Sequence, residues 1–238
     1  MKDQQQAISY LESDLLLHMD MLESIRRGRA ALLYVDQDGV LLLDQPSGTY
    51  MVSAAREAAA EKMLPLIKNA ELIECHQKFY AKELAEQSHL YIGPDCYQAV
   101  YRKEQRISLE RTGIKIKQLD NTFLSAVKAQ YHMIQEDQYL LGRLESGVMY
   151  GAFLGKELAG FIGIHEEGSI GLLEVLPEYR RRGIGMALEA HMVNIMLDKG
   201  WTPFGQIIEG NAASFSLQKS LGFSIAEQPL FWMTSRPE

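Results

Sequence analysis

The chain has 238 residues, 47% hydrophobic and 23% charged, the composition of an ordinary globular protein with a core, and this excludes intrinsic disorder. Its formal net charge of -7 at pH 7 excludes a broad phosphate-binding face, so nucleic acid is not an expected partner. No stretch approaches the roughly 18 uninterrupted apolar residues that span a bilayer, and the opening MKDQQQAISYLESDLL is too acidic and polar for a targeting peptide, so the expected location is the cytoplasm, off the membrane.

In chain order, Ile8, Leu11, Leu15, Met19, Leu22 and Ile25 recur at steps of three and four, which predicts one amphipathic helix or two. Two short apolar runs, residues 31–35 and 40–43, flank Asp38-Gly39 and predict a hairpin. The run TYMVSA predicts a third strand, the alanine-rich residues 54–66 a helix, residues 71–87 a strand passing into a helix, and residues 96–105 one more strand. This half reads as mixed α/β with an antiparallel component and contains no phosphate loop or catalytic cluster. Its cysteines, Cys75 and Cys96, lie in no CxxC or Cys/His spacing and are expected as reduced, half-buried thiols. Across the chain six scattered histidines form no HExxH pattern, so no metal is expected.

The segment YRKEQRISLERTG, residues 101–113, is highly charged and lacks an apolar face, which places a domain boundary there and divides the chain into residues 1–112 and 113–238. Beyond it, IKIKQ predicts a strand, and Asp120 and Asn121 cap a following helix by accepting from its first N–H groups. A hairpin turning at Gly155-Lys156 comes next, then an apolar strand, GSIGLLEV, that ends before Pro177.

The strand gives way to the segment EYRRRGIGMALEAH. Gly183 and Gly185 bracket one residue at a strand-to-helix junction, so the backbone turns sharply there and a ligand can approach bare amides. The helix presents Leu188, Met192, Ile195 and Met196 on one face and stops at Gly200. Its first N–H groups lack intrahelical partners and, with Arg180, Arg181 and Arg182, form a site for an anion, most simply a phosphate; the alternative is a solvated basic turn. A dinucleotide fingerprint fails because Leu188 stands at the third glycine position. A P-loop reading of GAFLGKE fails because it is one residue short and Glu157 replaces the Ser/Thr that holds magnesium.

The run LLEVLPEYRRRGIGMAL resembles the acetyl-CoA-binding motif of the GNAT acyltransferase superfamily, with Arg180, Gly183 and Gly185 in register, and NAASFSLQKSLGF resembles that family's later helix through Asn211 and Leu221-Gly222-Phe223. The resemblance covers roughly residues 113–238, and residues 1–112 resemble the degenerate first domain of tandem-GNAT proteins of the glycine N-acyltransferase-like branch. It implies an α/β (α+β) GNAT acyl-CoA N-acyltransferase fold with a mixed, twisted sheet whose fourth and fifth strands splay around acetyl-CoA. The pantetheine arm would pair with Leu173, Glu174 and Val175. Backbone amides of Arg181, Arg182, Gly183, Ile184, Gly185 and Met186 would hold the pyrophosphate, and Asn211 would contact the cofactor.

The same resemblance implies attack of a neutral amine on a thioester, which needs a proton acceptor and an N–H donor for the oxyanion. The usual titratable positions hold Gln206, Gln218 and about Ser169 instead. Candidates for the base are Glu174, read equally as a salt-bridge partner of an arginine, and Glu167 or Glu166, which also read as a solvated turn; His165 could serve or be a strand-end surface residue. The expected activity is an acetyl-CoA-dependent N-acetyltransferase acting on the primary amine of a small molecule, as monomer or homodimer. A peptide or protein acetyltransferase and a catalytically weak acyl-CoA-binding module are the alternatives.

Overall fold

The strands expected in the first hundred residues are all present in the computed structural model, which describes residues 2–108, 113–134 and 136–235. In order they are α1 (Lys2–Leu11), α2 (Met19–Arg26), β1 (Ala30–Asp36), β2 (Gly39–Asp44), β3 (Thr49–Ala54), α3 (Glu57–Met63), β4 (Leu72–Cys75), α4 (Ala81–Ser88) and β5 (Tyr91–Val100). Then come β6 (Ile114–Gln118), α5 (Leu124–Gln130), α6 (Asp137–Glu145), β7 (Tyr150–Leu154), β8 (Glu157–Ile164), β9 (Ile170–Val175) and α7 (Ile184–Asp198). The chain ends with β10 (Phe204–Ile208), α8 (Ala212–Leu221), β11 (Ser224–Ile225) and β12 (Leu230–Thr234).

Two units separate. The first takes the chain up to Val100, then Gln206–Ser214 and everything from Ser224 on; the second takes Tyr101–Gly205 and Phe215–Phe223. The expected boundary after Thr112 lies outside the described residues. The units change over at Val100 instead, and the carboxy-terminal part of the chain is divided between them.

In the first unit β1, β2 and β3 form an antiparallel meander and β4 runs parallel to β3 with Val52 beside Cys75. The last strand, β12, lies antiparallel between β4 and β5, where Phe231 faces Cys75 on one side and Asp95 on the other. Side chains alternate across a strand, so the sheet packs on both faces. Val40, Leu42 and Met51 meet Ala7, Leu11, Met21 and Leu22 of α1 and α2. Their neighbours Leu41 and Val52 meet Met63, Leu84, Phe231 and Met233. Each fully buried side chain of this size contributes roughly 1.5–3 kcal/mol.

In the second unit β6, β7, β8 and β9 are antiparallel neighbours, and β9 leads through α7 to β10, which runs parallel with Gly205 beside Ile170. Leu119, Val127, Leu140, Leu144, Phe161 and Leu172 form the core beneath α5 and α6. The opposite face takes α7, where a Cβ on Gly160 would lie 3.3 Å from Ile184. The cap read at Asp120 is present, its carboxylate accepting from Thr122 N at 3.0 Å. Helix α6 has no counterpart among the elements the sequence predicts: it is only nine residues long and carries Gly142 in its middle, so its periodicity is brief.

Candidate functional site

The centre of the second unit's site is a bulge. Phe161 on β8 pairs with Glu174 and Gly163 with Gly171, so β9 carries one extra residue over this span, and Leu172 takes φ 53°. A bulge twists its strand and leaves an amide out of the ladder. Leu172 is buried, whereas Leu173, Glu174 and Val175 are half-buried. The apolar strand GSIGLLEV is therefore core on one side of its bulge only.

Pro177 ends β9 and opens a short 3-10 turn, Pro177–Tyr179. Arg180 is extended, Arg181 has φ 60° and Gly183 φ 77°, and α7 begins at Ile184 with no side chain capping it. The helix start lends its first amides a partial positive charge. Gly183 is needed for its positive φ. Gly185 is not, and a Cβ there would make only ordinary contacts, 3.6 Å to Val175 and 3.8 Å to Leu217. Nothing inside the unit demands glycine at 185, so its bare Cα is available to an external group.

The arginines divide their work. Arg180 donates through Nε to Val175 O at 3.0 Å and through Nη2 to Glu174 Oε1 at 3.1 Å. Arg182 lies over the ring of Tyr179 at 5.6 Å, and Tyr179 donates to Glu157. Arg181 is exposed. Of the two readings of Glu174, the ion pair with an arginine is therefore realised.

The β8–β9 turn is solvated at Glu166, whose side chain is 40% exposed, and closed at Glu167. Glu167 is buried and accepts from the Ser169 hydroxyl, and Glu166 pairs with Arg143 at 2.8 Å. His165 is half-buried rather than on the surface. Its Nδ1 lies 2.6 Å from the Tyr139 hydroxyl, its ring packs against the Cα of Gly171, and burial holds its pKa down. The Tyr131 phenol is pushed up to about 12, first by burial and then by the charges of Glu167 and Glu174. Tyr131, which feels both expected carboxylates, is a residue that nothing in the neighbouring sequence marks.

Leu173, Glu174, Val175 and residues 180–186 come together in this unit. Asn211 belongs to the first unit, where it is exposed and caps α8 by accepting from Ser214 N at 3.0 Å. Gln206 also belongs there; its amide donates to Glu74 and its oxygen accepts from Trp232 Nε1 at 2.6 Å. Gln218, in the second unit, is buried and donates to Glu189 at 2.8 Å. Cys75 and Cys96 are buried, not half-buried. Among the described residues no helix is long and apolar enough to cross a membrane, and one buried group, Asp20, Glu74 and His76, has the donor types of a metal site.

Residues 147–232 match the sequence model of the FR47-like protein family. The structure is similar to the X-ray structure of a Drosophila protein, with 16% identity, a TM-score of 0.71, and 98% of this chain and 96% of that one covered. It is similar to a putative acetyltransferase of the GNAT family from Novosphingobium aromaticivorans, at 17% identity and TM-score 0.52, over 92% and 96% of the two chains. A GCN5-related N-acetyltransferase from Kribbella flavida is similar at 10% identity and TM-score 0.58, over 94% and 96%. No curated protein matches the sequence.

Proposed function

We propose that this chain, which has the fold of the GNAT superfamily and an FR47-like segment over residues 147–232, is an acyl-CoA-dependent N-acyltransferase that moves an acetyl group from acetyl-CoA to a primary amine of a small molecule. The observation that carries this reading is the glycine at 185, which neither φ nor packing requires, in the first turn of an uncapped helix beside a bulged strand.

In this reading the amides of Arg181, Arg182, Gly183, Ile184, Gly185 and Met186 hold the pyrophosphate. The backbone of Leu173, Glu174 and Val175 pairs with the pantetheine arm. The amine nitrogen attacks the thioester carbonyl in a ternary complex, a β9 amide stabilises the oxyanion, the C–S bond breaks, and the proton lost by nitrogen returns to the CoA thiolate. Glu174 or Glu167 accepts that proton on the way. The unit that begins the chain is a degenerate GNAT-like domain and the unit holding Tyr101–Gly205 the catalytic one, working in the cytoplasm as a monomer or homodimer.

A second reading, an acyl-CoA-binding module with little turnover, is favoured by the engagement of Glu174 with Arg180 and by glutamine at positions 206 and 218. Calorimetry with acetyl-CoA and dephospho-CoA, followed by an amine screen, separates the readings. Micromolar binding with steady turnover supports the transferase, binding without turnover supports the module, and no binding to either ligand removes both.

A further inference from the structure

Asp20 on α2, Glu74 on β4 and His76 just past that strand are almost wholly buried in the first unit, with 0%, 0% and 2% of their surfaces exposed. Positions 74 and 76 are two apart along an extended backbone, so their side chains leave the same face. One oxygen from each carboxyl and one imidazole nitrogen lie within 4.8 Å of one another. The backbone N of His76 donates to Val52 O at 3.1 Å, and its Nδ1 lies 3.0 Å from the same oxygen. A carbonyl only accepts, so Nδ1 carries the hydrogen. Nε2 is then the atom turned on the carboxyls, 2.9 and 3.1 Å from the two oxygens of Asp20. Glu74 is oriented by the amide of Gln206, which is itself held by the indole of Trp232. Donor atoms fixed from behind in this way are the usual setting of metal ligands.

Charge makes the stronger argument. Two carboxylates and a neutral imidazole carry a charge of -2, which a site closed to water does not tolerate. An Nε2 lone pair facing carboxylate oxygens at hydrogen-bond distance is repulsive unless a cation lies between them. Neutrality needs either two protons shared among the three groups or one divalent cation. One imidazole with carboxylate oxygens suits zinc and its first-row neighbours, whereas magnesium and calcium favour all-oxygen shells. Metal–ligand bonds of about 2.0–2.2 Å place tetrahedral ligand atoms roughly 3.3–3.6 Å apart; the three donor atoms lie within 4.8 Å of one another, and His76 Nε2 and the Asp20 carboxylate, at 2.9 and 3.1 Å, would part by roughly half an ångström to admit the ion.

We propose that Asp20, Glu74 and His76 form a zinc-class divalent metal site within the first unit, tying α2 to the end of β4. The site is structural, because no exposed position is left on it for substrate.

The test uses the full chain, purified without chelator, with metal content measured by mass spectrometry. About one zinc per chain is expected in the parent, less than about a tenth of that in Glu74→Gln and His76→Gln, and no loss in His89→Gln, a histidine outside the cluster. Folding of each variant is followed by circular dichroism. Protein refolded after chelation is then titrated with zinc and with cobalt(II) in buffers of different ionisation enthalpy, with release of about two protons per metal expected. A folded parent that carries no metal and takes up none would overturn the site and leave a proton-held cluster. Equal metal in parent, Glu74→Gln and His76→Gln would overturn it by placing the ion elsewhere.

Discussion

Gln218 donates its side-chain amide to the Glu189 carboxyl at 2.8 Å, and burial pushes that carboxyl up to about 7. Gln218 Oε1 has no hydrogen-bond partner among the described residues, and a protonated Glu189 is a donor that could meet it. The folded chain therefore keeps a proton that the unfolded chain loses near the ordinary value of 4.5. Below that value the group costs nothing. As pH rises from about 4.5 to about 7, the unfolded state sheds the proton and stability falls, by about 3 kcal/mol in total. Glu189→Gln keeps the shape without the titration. Urea unfolding should show parent and variant nearly equal at pH 4.5 and the variant more stable at pH 8; equal stabilities at both would show that Glu189 is not held neutral.

Phe231 tests the placement of the last strand. It is 1% exposed and packs with Met63, Leu84 and Met233 in the first unit. Phe231→Ala should destabilise that unit by about 3–5 kcal/mol through lost transfer energy and the cavity left behind. A shift in the urea midpoint at unchanged slope would report it; a loss below about 1 kcal/mol would mean that β12 frays from the sheet.

Phe231 also marks the limit of what is legible in the sequence. The hairpin at Asp38-Gly39, the turn at Gly155-Lys156, the Asp120 cap and the start of α7 are local chemistry, written in neighbouring residues, and the structure reproduces them. That β12 pairs between β4 and β5 is a contact across more than a hundred residues, and nothing in LFWMT names its neighbours. Site chemistry obeys the same division. The glycine–arginine segment is readable because its parts are contiguous, whereas Asp20 beside His76 exists only once the sheet has formed. Glu167 reads as a solvated turn residue because its neighbours in sequence are Glu166 and Gly168; only Ser169 and the packed His165 show it to be inside.

Gly185→Asp should separate folding from cofactor binding by moving them in opposite directions. The position is the second residue of α7, with room for a Cβ. A carboxylate in the first turn complements the helix dipole by about 0.3–1 kcal/mol, and replacing a helical glycine reduces the entropy cost of folding. The same carboxylate would occupy the pyrophosphate seat. Thermal unfolding should shift upward while acetyl-CoA affinity drops at least tenfold, about 1.4 kcal/mol, by calorimetry. Unchanged affinity would move the phosphate site away from this helix.

Glu174 and Arg180, joined at 3.1 Å, can be told apart by how their loss divides between kcat and KM. If the Glu174 carboxylate accepts the amine proton, Glu174→Gln should lower kcat about 10²–10⁴-fold and leave the KM for acetyl-CoA nearly unchanged, since general-base assistance acts in the transition state. Arg180→Gln removes the ion pair but not the carboxylate. It should raise the KM for acetyl-CoA, by weakening both the cationic field at the α7 start and the brace on Val175 O, while kcat stays within a few-fold. If Glu174 instead serves only to position Arg180, the two variants should show the same KM increase and neither should lose kcat, and the base would then be sought at Glu167, where Glu167→Gln would carry the kcat loss.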